Sequence, residues 1–538
     1  MPSCNLLSEQ WLPVVTVDGE SELLSLGDVF RHARGLRCLQ GEAPIVTAAL
    51  YRLLLAFLHR VHEGPATEGE WAELWRNGVD TGRLDAYEAA HRDEFWLLGG
   101  ERPFFQCPEL ADVPPKPATH LLLYRAKGNN TTLFDHATDE ERPDLPADAA
   151  ARWLVTVQAF DTGGTKTPYR PGGTKSSKAG LGNYFGTVLL EGATLWETLL
   201  LNAVVYDPPG GRPLATTTPG DRAIWEREHP PGPAPVASAF PQGWVDLLTW
   251  PSRRILLHSK EKDGRVYVDG AVVAPGTQLG AELIEIEAMA AFRRRGGKKL
   301  IYDPVRLEML RGVWRHATDL LLPARAVGER RRPQTIDEVA RLVDLRFLDE
   351  RKAVTLRVFG QKLMSNPGAV EYWSEEALPI KLALLRAQDT GWNLEQLLGR
   401  AVKLADAVGD ELQRTVVNYH EGLRSRFDRR KHQSFLAERY WPRLDAEFAL
   451  LLSDLGDLVT RYEPDSPEGR EESRGLFERW RRHVDTTAKE AVGAWIDEFP
   501  GGSPRQILEV ARAEMIFLGA LNDLTDVYRH EIRQYTGS

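Results

Sequence analysis

Cysteine is scarce in this sequence, whose 538 residues include only Cys4, Cys38 and Cys107. The three lie far apart and form no C-x-x-C pair, which excludes a zinc ribbon and argues against a disulfide framework. So few cysteines are typical of the reducing cytoplasm. The zinc-protease pattern H-E-x-x-H is also missing, and we predict no metal site and no other cofactor.

Long apolar runs and a net positive charge are missing too. The longest apolar helical runs, such as 45–58, contain an arginine and fall short of about 18 residues, so we expect no membrane span. The N-terminus has no charged segment followed by an apolar one, which predicts no secretory signal. The net charge is −10, whereas a protein that wraps DNA by itself is usually basic. Any DNA contact is therefore expected from local basic patches.

The tripeptide Asp-Thr-Gly occurs twice, at 161–163 and 389–391. Bilobal aspartic proteases carry two such triplets, because two facing carboxylates must share one proton. That fold requires each triplet to follow an apolar strand in an all-β lobe. Asp389 instead follows LPIKLALLRAQ, a helical stretch that leads into further helices. We therefore predict that the triplets form no protease active site.

The stretch 161–178 (DTGGTKTPYRPGGTKSSK) approaches a phosphate-binding loop. A P-loop requires G-x-x-x-x-G-K-[ST] between a strand and a helix. Here Thr174 separates Gly173 from Lys175, so the spacing is wrong. With this spacing we predict no nucleotide-hydrolysing site in the segment. Two alternatives stay open: an enzyme of the aspartic-protease or nucleotide-hydrolase class, and a protein-only interaction scaffold.

The N-terminal part of the chain mixes strands and helices. Short alternating runs bounded by turn residues predict strands, and longer apolar runs predict helices. We expect strands at 11–17 and 22–26 around Asp18-Gly19, a helix at 43–60, helices within 69–92 around Gly78, and strands at 253–258 and 265–268.

After about residue 375 the apolar residues recur at three- and four-residue steps in four long segments, which predicts amphipathic helices. We expect Pro442 to kink or break the second helix. The sequence thus predicts an α+β protein, with a large mixed α/β domain over 1–375 and a four-helix bundle over 376–538. The four stripes begin Leu394, Leu397, Leu398, Ala401; Phe435, Leu436, Tyr440, Leu444; Leu476, Phe477, Trp480, Val484; and Ile507, Leu508, Ala511, Met515.

One glycine-rich segment is also basic. Between Asp161 and Gly182 four cations stand against one acid, a net charge of +3. Glycine lets the backbone approach a ligand closely, and cations neutralise phosphates. Two further basic clusters, 293–299 (RRRGGKK) and 424–431 (RSRFDRRK), make a divided DNA-binding surface more plausible than one cluster would.

Several segments resemble those of a known family. Residues 5–14 (NLLSEQWLPV) resemble the N-terminal signature of CasA proteins, roughly N-L-L-x-x-x-W-I-P-V, and 102–106 (RPFFQ) resemble their H-P-F-x-Q segment. Residues 158–164 (QAFDTGG) and 192–202 (GATLWETLLLN) are similar to the family's glycine loop and the helix after it. The run 288–299 (AMAAFRRRGGKK) is similar to the region of its basic finger. In this order the segments resemble the CasA family, the large subunit of the type I-E CRISPR Cascade complex.

The resemblance implies a DNA-binding subunit without an active site. In the family, the protospacer-adjacent motif (PAM) of double-stranded target DNA is read from the minor groove by a glycine loop and a basic finger, and a wedge helps open the duplex. RNA pairing then reads the rest of the target, as in other RNA-guided effectors. We expect DNA contacts from Thr162, Gly163, Gly164, Thr165 and Lys166 in the loop, from Arg293, Arg294, Arg295, Lys298 and Lys299 in the finger, and from Ser365 and Asn366 at the wedge.

The resemblance also implies partners. Residues 127–136 (KGNNTTLFDH) match the position of a family loop that contacts the CRISPR RNA (crRNA) 5′ end and a neighbouring backbone subunit. Asn129, Asn130 and Phe134 are the expected contacts, with Phe134 as the apolar or stacking anchor. The expected partners are the other Cascade subunits, the crRNA, target DNA with its PAM, and a separate helicase–nuclease that performs cleavage. No membrane partner is expected.

Overall fold

The computed structural model describes residues 4–125, 144–212, 214, 216–228, 232, 238–296, 300–306, 312–323, 329–364, 369–386, 391–424, 429–498 and 502–536. The chain divides into two compact units. Unit 1 comprises Met1–Arg306, Gly328–Glu338 and Arg357–Glu375, and unit 2 comprises Leu307–Val327, Val339–Leu356 and Glu376–Ser538.

The described elements mix helices and strands, and helices dominate the C-terminal part, which confirms the predicted α+β class. The α-helices are α1 (Leu26–His32), α2 (Pro44–His62), α3 (Glu68–Asn77), α4 (Thr81–His91), α5 (Ala147–Phe160), α6 (Leu195–Asn202), α7 (Trp244–Leu248), α8 (Leu283–Ile286), α9 (Ala317–Leu321), α10 (Gln334–Asp344), α11 (Leu394–Leu423), α12 (Arg429–Tyr440), α13 (Asp445–Arg461), α14 (Pro467–Asp497) and α15 (Pro504–Thr536). The strands are β1 (Cys4–Asn5), β2 (Leu12–Thr16), β3 (Ser21–Leu24), β4 (Leu36–Leu39), β5 (Trp96–Leu98), β6 (Lys116–Pro117), β7 (Leu145–Pro146), β8 (Gly164–Thr165), β9 (Ser176–Ser177), β10 (Thr187–Glu191), β11 (Arg253–Lys262), β12 (Arg265–Pro275), β13 (Phe292–Arg294), β14 (Tyr302–Pro304), β15 (Arg330–Arg331), β16 (Ala353–Leu363) and β17 (Val370–Lys381).

Helix α2 forms the centre of the core of unit 1. It packs against α5 and α7, and nearly all of its side chains are buried. The helix is longer than its apolar run suggested, and it is long and apolar enough to cross a membrane. However, 89% of its most apolar stretch is buried inside the protein, as in the core helix of a globular unit.

Small antiparallel sheets surround this core. Strands β2 and β3 form the predicted hairpin around Asp18-Gly19, with β4 on the other edge of β2. Gly19 takes a φ of +91°, a backbone conformation that favours glycine. The predicted strands near 253 and 265 are the long hairpin β11–β12. Short strands β6 and β7 also pair with β12, and the remaining sheets pair β1 with β5, β8 with β9, β13 with β14 and β15, and β16 with β10 and β17.

Unit 2 contains the predicted helix bundle. Helix α11 packs against α12, α14 and α15, and α13 packs against α14. The second predicted helix is interrupted at Pro442, where a 3-10 turn (Trp441–Arg443) separates α12 from α13. Proline lacks the N–H that would continue the helix and its ring clashes with the preceding turn, so the break is expected.

The start of the apolar stripe predicted for the last helix is wrong. Ile507, Leu508 and Met515 are 56%, 66% and 68% exposed, and Ala511 is also exposed. Helix α15 has apolar residues on two faces, and the face carrying the larger aromatic side chains turns inward, where it covers more apolar area. The buried face consists of Val510, Ala513, Phe517, Leu521, Thr525, Tyr528 and Ile532.

Candidate nucleic-acid interface

The glycine loop follows directly from the end of α5. Thr162 and Gly163 are buried, Gly164 is half-buried and Thr165 is exposed, so the part of the loop that a ligand can reach begins at Gly164. Gly163 and Gly164 have φ values of +80° and +83°, which turn the chain sharply. Gly164 and Thr165 then form β8, which pairs with β9 in a small hairpin. The hairpin is further fixed by a hydrogen bond from the Thr167 amide to the Val273 carbonyl of β12.

A buried charge cluster holds the base of this hairpin. The Asp161 carboxylate accepts a hydrogen bond of 2.8 Å from Lys166 Nζ and one of 2.6 Å from Arg253 Nε. The Asp161 and Arg253 side chains are each 3% exposed. Arg253 also donates to the Lys178 carbonyl, at 2.6 Å, and so ties both ends of the hairpin to β11. The glycine loop is therefore fixed before any ligand arrives.

Lys166, a predicted DNA contact, lies inside this cluster. Its side chain is only 13% exposed, and burial lowers the pKa of its ammonium group, although Asp161 counteracts the shift. The other three cations of the hairpin, Arg170, Lys175 and Lys178, are exposed. In this structure these three, rather than Lys166, present positive charge to the surface.

The basic finger is a second hairpin, formed by β13 and β14. Arg293, Arg294 and Arg295 are all exposed along it. Arg295 pairs with Asp303 of the opposite strand, with Nε 2.9 Å from Oδ2. Lys298 and Lys299, the other predicted finger residues, lie outside the described residues.

An apolar cluster joins the glycine loop to the finger. The segment after the loop forms a 3-10 turn (Leu181–Asn183) followed by Tyr184 and Phe185. Phe185 packs with Phe292 of β13, and Tyr184 and Tyr302 pack against the same cluster. The Gly186 amide donates to the Val305 carbonyl at 2.9 Å, just after β14. The structure thus brings together two elements that are more than a hundred residues apart in the sequence.

Ser365 and Asn366, the predicted wedge, come between β16 and β17 in the sequence and lie outside the described residues. These two strands are also tied to the glycine loop. Gln361 Nε2 donates to the Phe160 carbonyl at 2.9 Å and to Asn183 Oδ1 at 2.7 Å. Trp373 of β17 in turn donates to Gln361 Oε1 at 2.6 Å.

Several other predicted sites lie outside the described residues. They are Asn129, Asn130 and Phe134, the predicted crRNA contacts, and Asp389 of the second Asp-Thr-Gly triplet. Asp161 of the first triplet pairs with the side chains of Lys166 and Arg253. This arrangement differs from the two facing carboxylates of an aspartic protease. In the part of the chain that the structure describes, no group of three or more His, Cys, Asp or Glu side chains is arranged to hold a metal ion.

Comparison with known proteins identifies the family. The family of CRISPR-associated protein Cse1 matches residues 5–491. The chain belongs to this family. It is 28% identical to the CRISPR-associated protein CasA/Cse1 of Thermus thermophilus, over 98% of each chain. It is also similar to the crystal structure of Thermobifida fusca Cse1, with 27% identity, a TM-score of 0.82 and 98% of each chain covered.

A third similarity concerns an assembly. A chain of a CRISPR RNA-guided surveillance complex shares the fold, with a TM-score of 0.74 over 96% of this chain and 100% of that one, at 21% identity. At this identity the similarity shows the fold, and the family match makes the protein a CRISPR-associated protein of the CasA/Cse1 type. The resemblance to the CasA family stated from the sequence is confirmed.

The motifs that carry the resemblance hold the fold together. Asn5 donates to the Arg92 carbonyl, and Trp11 donates to the Leu6 carbonyl at 3.0 Å. Gln106 of the RPFFQ segment bridges two chain segments, donating to the Leu97 carbonyl and accepting from the Leu257 amide at 2.8 Å. Buried side chains that satisfy backbone groups in this way tolerate few replacements. The N-terminal signature and the RPFFQ segment are therefore mainly structural, whereas the described DNA contacts predicted from the sequence lie on the glycine loop and the two hairpins.

The sequence reasoning missed Arg253, which fixes the glycine loop. Arg253 stands 92 residues after Asp161, so no local pattern pairs them. The only local signal is the Arg253-Arg254 pair at the start of an otherwise apolar strand. A buried arginine requires a charged or carbonyl partner, so this pair predicts a buried polar cluster but not its other members.

Proposed function

We propose that this Cse1-family protein is the non-catalytic DNA-binding subunit of a type I-E Cascade complex and that it recognises the PAM of invading double-stranded DNA through the minor groove. It acts in the cytoplasm. It helps open the duplex so that the crRNA can pair with one strand in an R-loop, and it recruits the helicase–nuclease that cuts the target.

The observation that carries this proposal is the common anchoring of three loops in unit 1. The glycine loop, the finger hairpin and strand β16, which precedes Asn366 in the sequence, are all joined to the short segment Leu181–Gly186, through Asn183, Phe185 and Gly186. A minor groove is about 6 Å wide and offers few distinguishing groups, so its readers need a preorganised backbone. Shared anchoring supplies that preorganisation.

The charge distribution supports the same function. The chain carries a net charge of −10, yet Arg170, Lys175 and Lys178 are exposed on or beside the β8–β9 hairpin, and the arginines of the finger are exposed as well. The segment Leu181–Gly186 follows the first hairpin and packs against the second. Local cations of this kind bind phosphates and position a duplex without reading its bases. Gly164, at the accessible end of the loop, is then free of any side chain that would hold the backbone away from the groove.

The proposed roles divide as follows. Gly164 and Thr165 approach the PAM base pairs, and the arginines of the finger, with Lys298 and Lys299, contact the backbone or groove. Asn366, supported by Ser365, enters the base stack beside the PAM, at a cost of a few kcal/mol per unstacked step. Asn129, Asn130 and Phe134 contact the crRNA 5′ end and a neighbouring subunit.

The test is a charge placed on the loop. Gly164→Asp, assembled into the full complex, should lower affinity for PAM-containing duplex while leaving crRNA assembly intact. Gly172→Asp is the matched control, because Gly172 also has a positive φ, lies on the exposed part of the same hairpin and has open space around it. Electrophoretic mobility of PAM and non-PAM duplexes gives the readout. Equal PAM discrimination in both variants would contradict the loop assignment, and no discrimination by the wild-type complex would favour a protein-only scaffold.

A further inference from the structure

A groove of about 500 Å³ opens beside the glycine-loop hairpin, within unit 1. One wall is the returning side of the hairpin, Ser177 and Lys178, and the opposite wall is the segment 276–283. Tyr184 and Trp250 add aromatic surface to the lining. The volume falls within the range of about 300–1,000 Å³ typical of sites for small organic groups.

The walls of this groove are fixed by hydrogen bonds. Trp250 Nε1 donates to the Thr277 carbonyl at 3.0 Å, which holds the segment 276–283 against the body of the unit. Arg253 holds the other wall through the Lys178 carbonyl, at 2.6 Å. Because both walls are anchored, the groove exists before a ligand binds.

The chemistry of the groove suits one nucleotide. Phe240, at 65% exposure, lies beside Gly280, a residue that lines the groove, and offers an exposed ring at its margin. Lys178 contributes one exposed cation, and Glu282 contributes one exposed carboxylate. Single-stranded nucleic acid is bound by aromatic faces that stack bases together with cations that meet phosphates. With one cation and one carboxylate, the groove suits a single phosphate better than several consecutive phosphates.

We propose that this groove captures one unpaired nucleotide of the displaced DNA strand next to the PAM. The inference rests on the proposed function, because the groove shares the wall Ser177–Lys178 with the loop assigned to the PAM. When the duplex opens there, one strand pairs with the RNA and the bases of the other lose their partners. A base stacked in the groove is prevented from pairing again, so the groove stabilises the first opened step.

The test fills the groove. Ala281 lines it and is half-buried, so Ala281→Trp places an indole where the base would stack. Ala86→Trp is the matched control, because Ala86 is an exposed residue of α4 and adds the same side chain elsewhere on unit 1. Both variants are assembled into the full complex and checked for an unchanged melting temperature.

The probe is a target with thymines at the first displaced-strand positions, treated with permanganate, which attacks unstacked thymines. With the wild-type and Ala86→Trp complexes one thymine beside the PAM should be protected relative to its neighbours. With Ala281→Trp its reactivity should rise by about fivefold or more, as expected when one stacking contact is lost. No protected thymine, or the same protection in all three complexes, would overturn the proposal.

A second target, already unpaired beside the motif, separates this inference from the proposed function. On that target the groove should protect its thymine whether or not the PAM is present. If the complex fails to discriminate PAM from non-PAM sequences on intact duplex and still protects the thymine on the open target, that result refutes the proposed function but not this inference. Backbone amide hydrogen exchange of residues 276–283 can be compared between the isolated chain and the assembled complex without DNA. If exchange slows on assembly, a protein subunit fills the groove, and the inference is overturned.

Discussion

Gln361 donates a hydrogen bond of 2.7 Å from Nε2 to the Oδ1 of Asn183, across 178 residues of sequence. Gln361 lies on β16, which precedes the proposed wedge in the sequence, and Asn183 ends the turn after the glycine loop. Asn183 in turn donates to the Asp161 carbonyl at 3.1 Å. A short chain of amides thus links the strand before the proposed wedge to the charged base of the loop that is proposed to read the PAM.

Gln361→Leu should therefore destabilise unit 1 and weaken the link. The change keeps the side-chain size but leaves the Trp373 indole N–H, Asn183 Oδ1 and the Phe160 carbonyl without this partner. Unsatisfied buried groups cost about 1–3 kcal/mol each, so we expect a loss of about 2–3 kcal/mol in urea unfolding after partial relaxation. R-loop formation on intact duplex should slow as well.

The neighbouring Lys362 provides the control. Its side chain is 54% exposed and contacts Glu371, at 3.4 Å, and the ring of Tyr372. Lys362→Met should therefore leave stability within experimental error, because exposed ion pairs contribute little. If Gln361→Leu is destabilised but opens duplex at the wild-type rate, the amide link supports the fold without serving DNA opening.

Asp161→Asn should also be strongly destabilising. The substitution keeps the shape of the side chain but removes the counter-charge of Arg253 and Lys166, which are 3% and 13% exposed. Removing one partner from a buried ion pair costs about 3–5 kcal/mol, because the remaining charge stays buried and uncompensated. Asp303→Asn, which breaks the exposed pair with Arg295 on the finger, should change stability little. Similar unfolding curves for the two variants would contradict the assigned importance of the buried cluster.

The sequence predicted elements with regular periods well and missed the relations between them. The stripes of α11 and α14 and the alternation of β11 follow from the spacing of apolar residues, so these elements were found. The sheet that joins β10 to β16 depends on strands more than 150 residues apart, and no local pattern pairs them. In α15 the apolar residues occupy two faces, and only tertiary packing selects the face with Phe517.

The same distinction between local features and long-range pairings applies to the candidate site. Glycine and cation content marked the loop and the finger, because both are local properties. The pairing of Lys166 with Asp161 was not predictable, since any of the segment's four cations could have met its one acid. The motifs that identified the family, such as Asn5 and Gln106, satisfy buried backbone groups. Resemblance therefore identified the family and its implied function, while the structure shows what those residues do in the fold.

Glu338 should make unit 1 less stable as pH rises. Burial raises the pKa of its carboxyl group from 4.5 to about 7, and its Oε2 has no hydrogen-bond partner among the described residues. The folded state thus holds the proton more tightly than the unfolded chain does. Stability is fully present below about pH 4.5 and falls as pH rises to 7, by up to about 3 kcal/mol.

Glu338→Gln removes this dependence, because the amide stays neutral at every pH. The variant should match the wild type near pH 4.5 and exceed its stability at pH 8 in urea unfolding followed by tryptophan fluorescence. Glu285 lies on the surface, and Glu285→Gln serves as the matched control. A wild type and Glu338→Gln with parallel pH profiles would refute the assignment.

Alanine substitutions at two glycines of the loop hairpin distinguish the cost of backbone strain from the cost of a steric clash. Gly163 and Gly172 have φ values of +80° and +75°, so alanine at either position adds the strain of a left-handed residue, about 1 kcal/mol. Around Gly172 an added Cβ would meet nothing within 4 Å. At Gly163 it would lie 2.8 Å from the Ala179 amide nitrogen and 3.0 Å from the Lys178 carbonyl carbon, so the backbone has to move.

Gly163→Ala should therefore displace the Lys178–Ala179 segment and with it the orientation of Gly164, whereas Gly172→Ala should only lower stability slightly. In the assembled complex we expect the ratio of PAM to non-PAM affinity to fall by about tenfold for Gly163→Ala, equivalent to about 1.4 kcal/mol, and to stay unchanged for Gly172→Ala. Binding titrations at one salt concentration measure both ratios, because salt alone shifts DNA affinity. If both variants discriminate as the wild type does, the position of the loop backbone does not determine recognition. The exposed cations of the two hairpins would then be the groups to test next, since they would have to supply the discrimination by their placement along the phosphates.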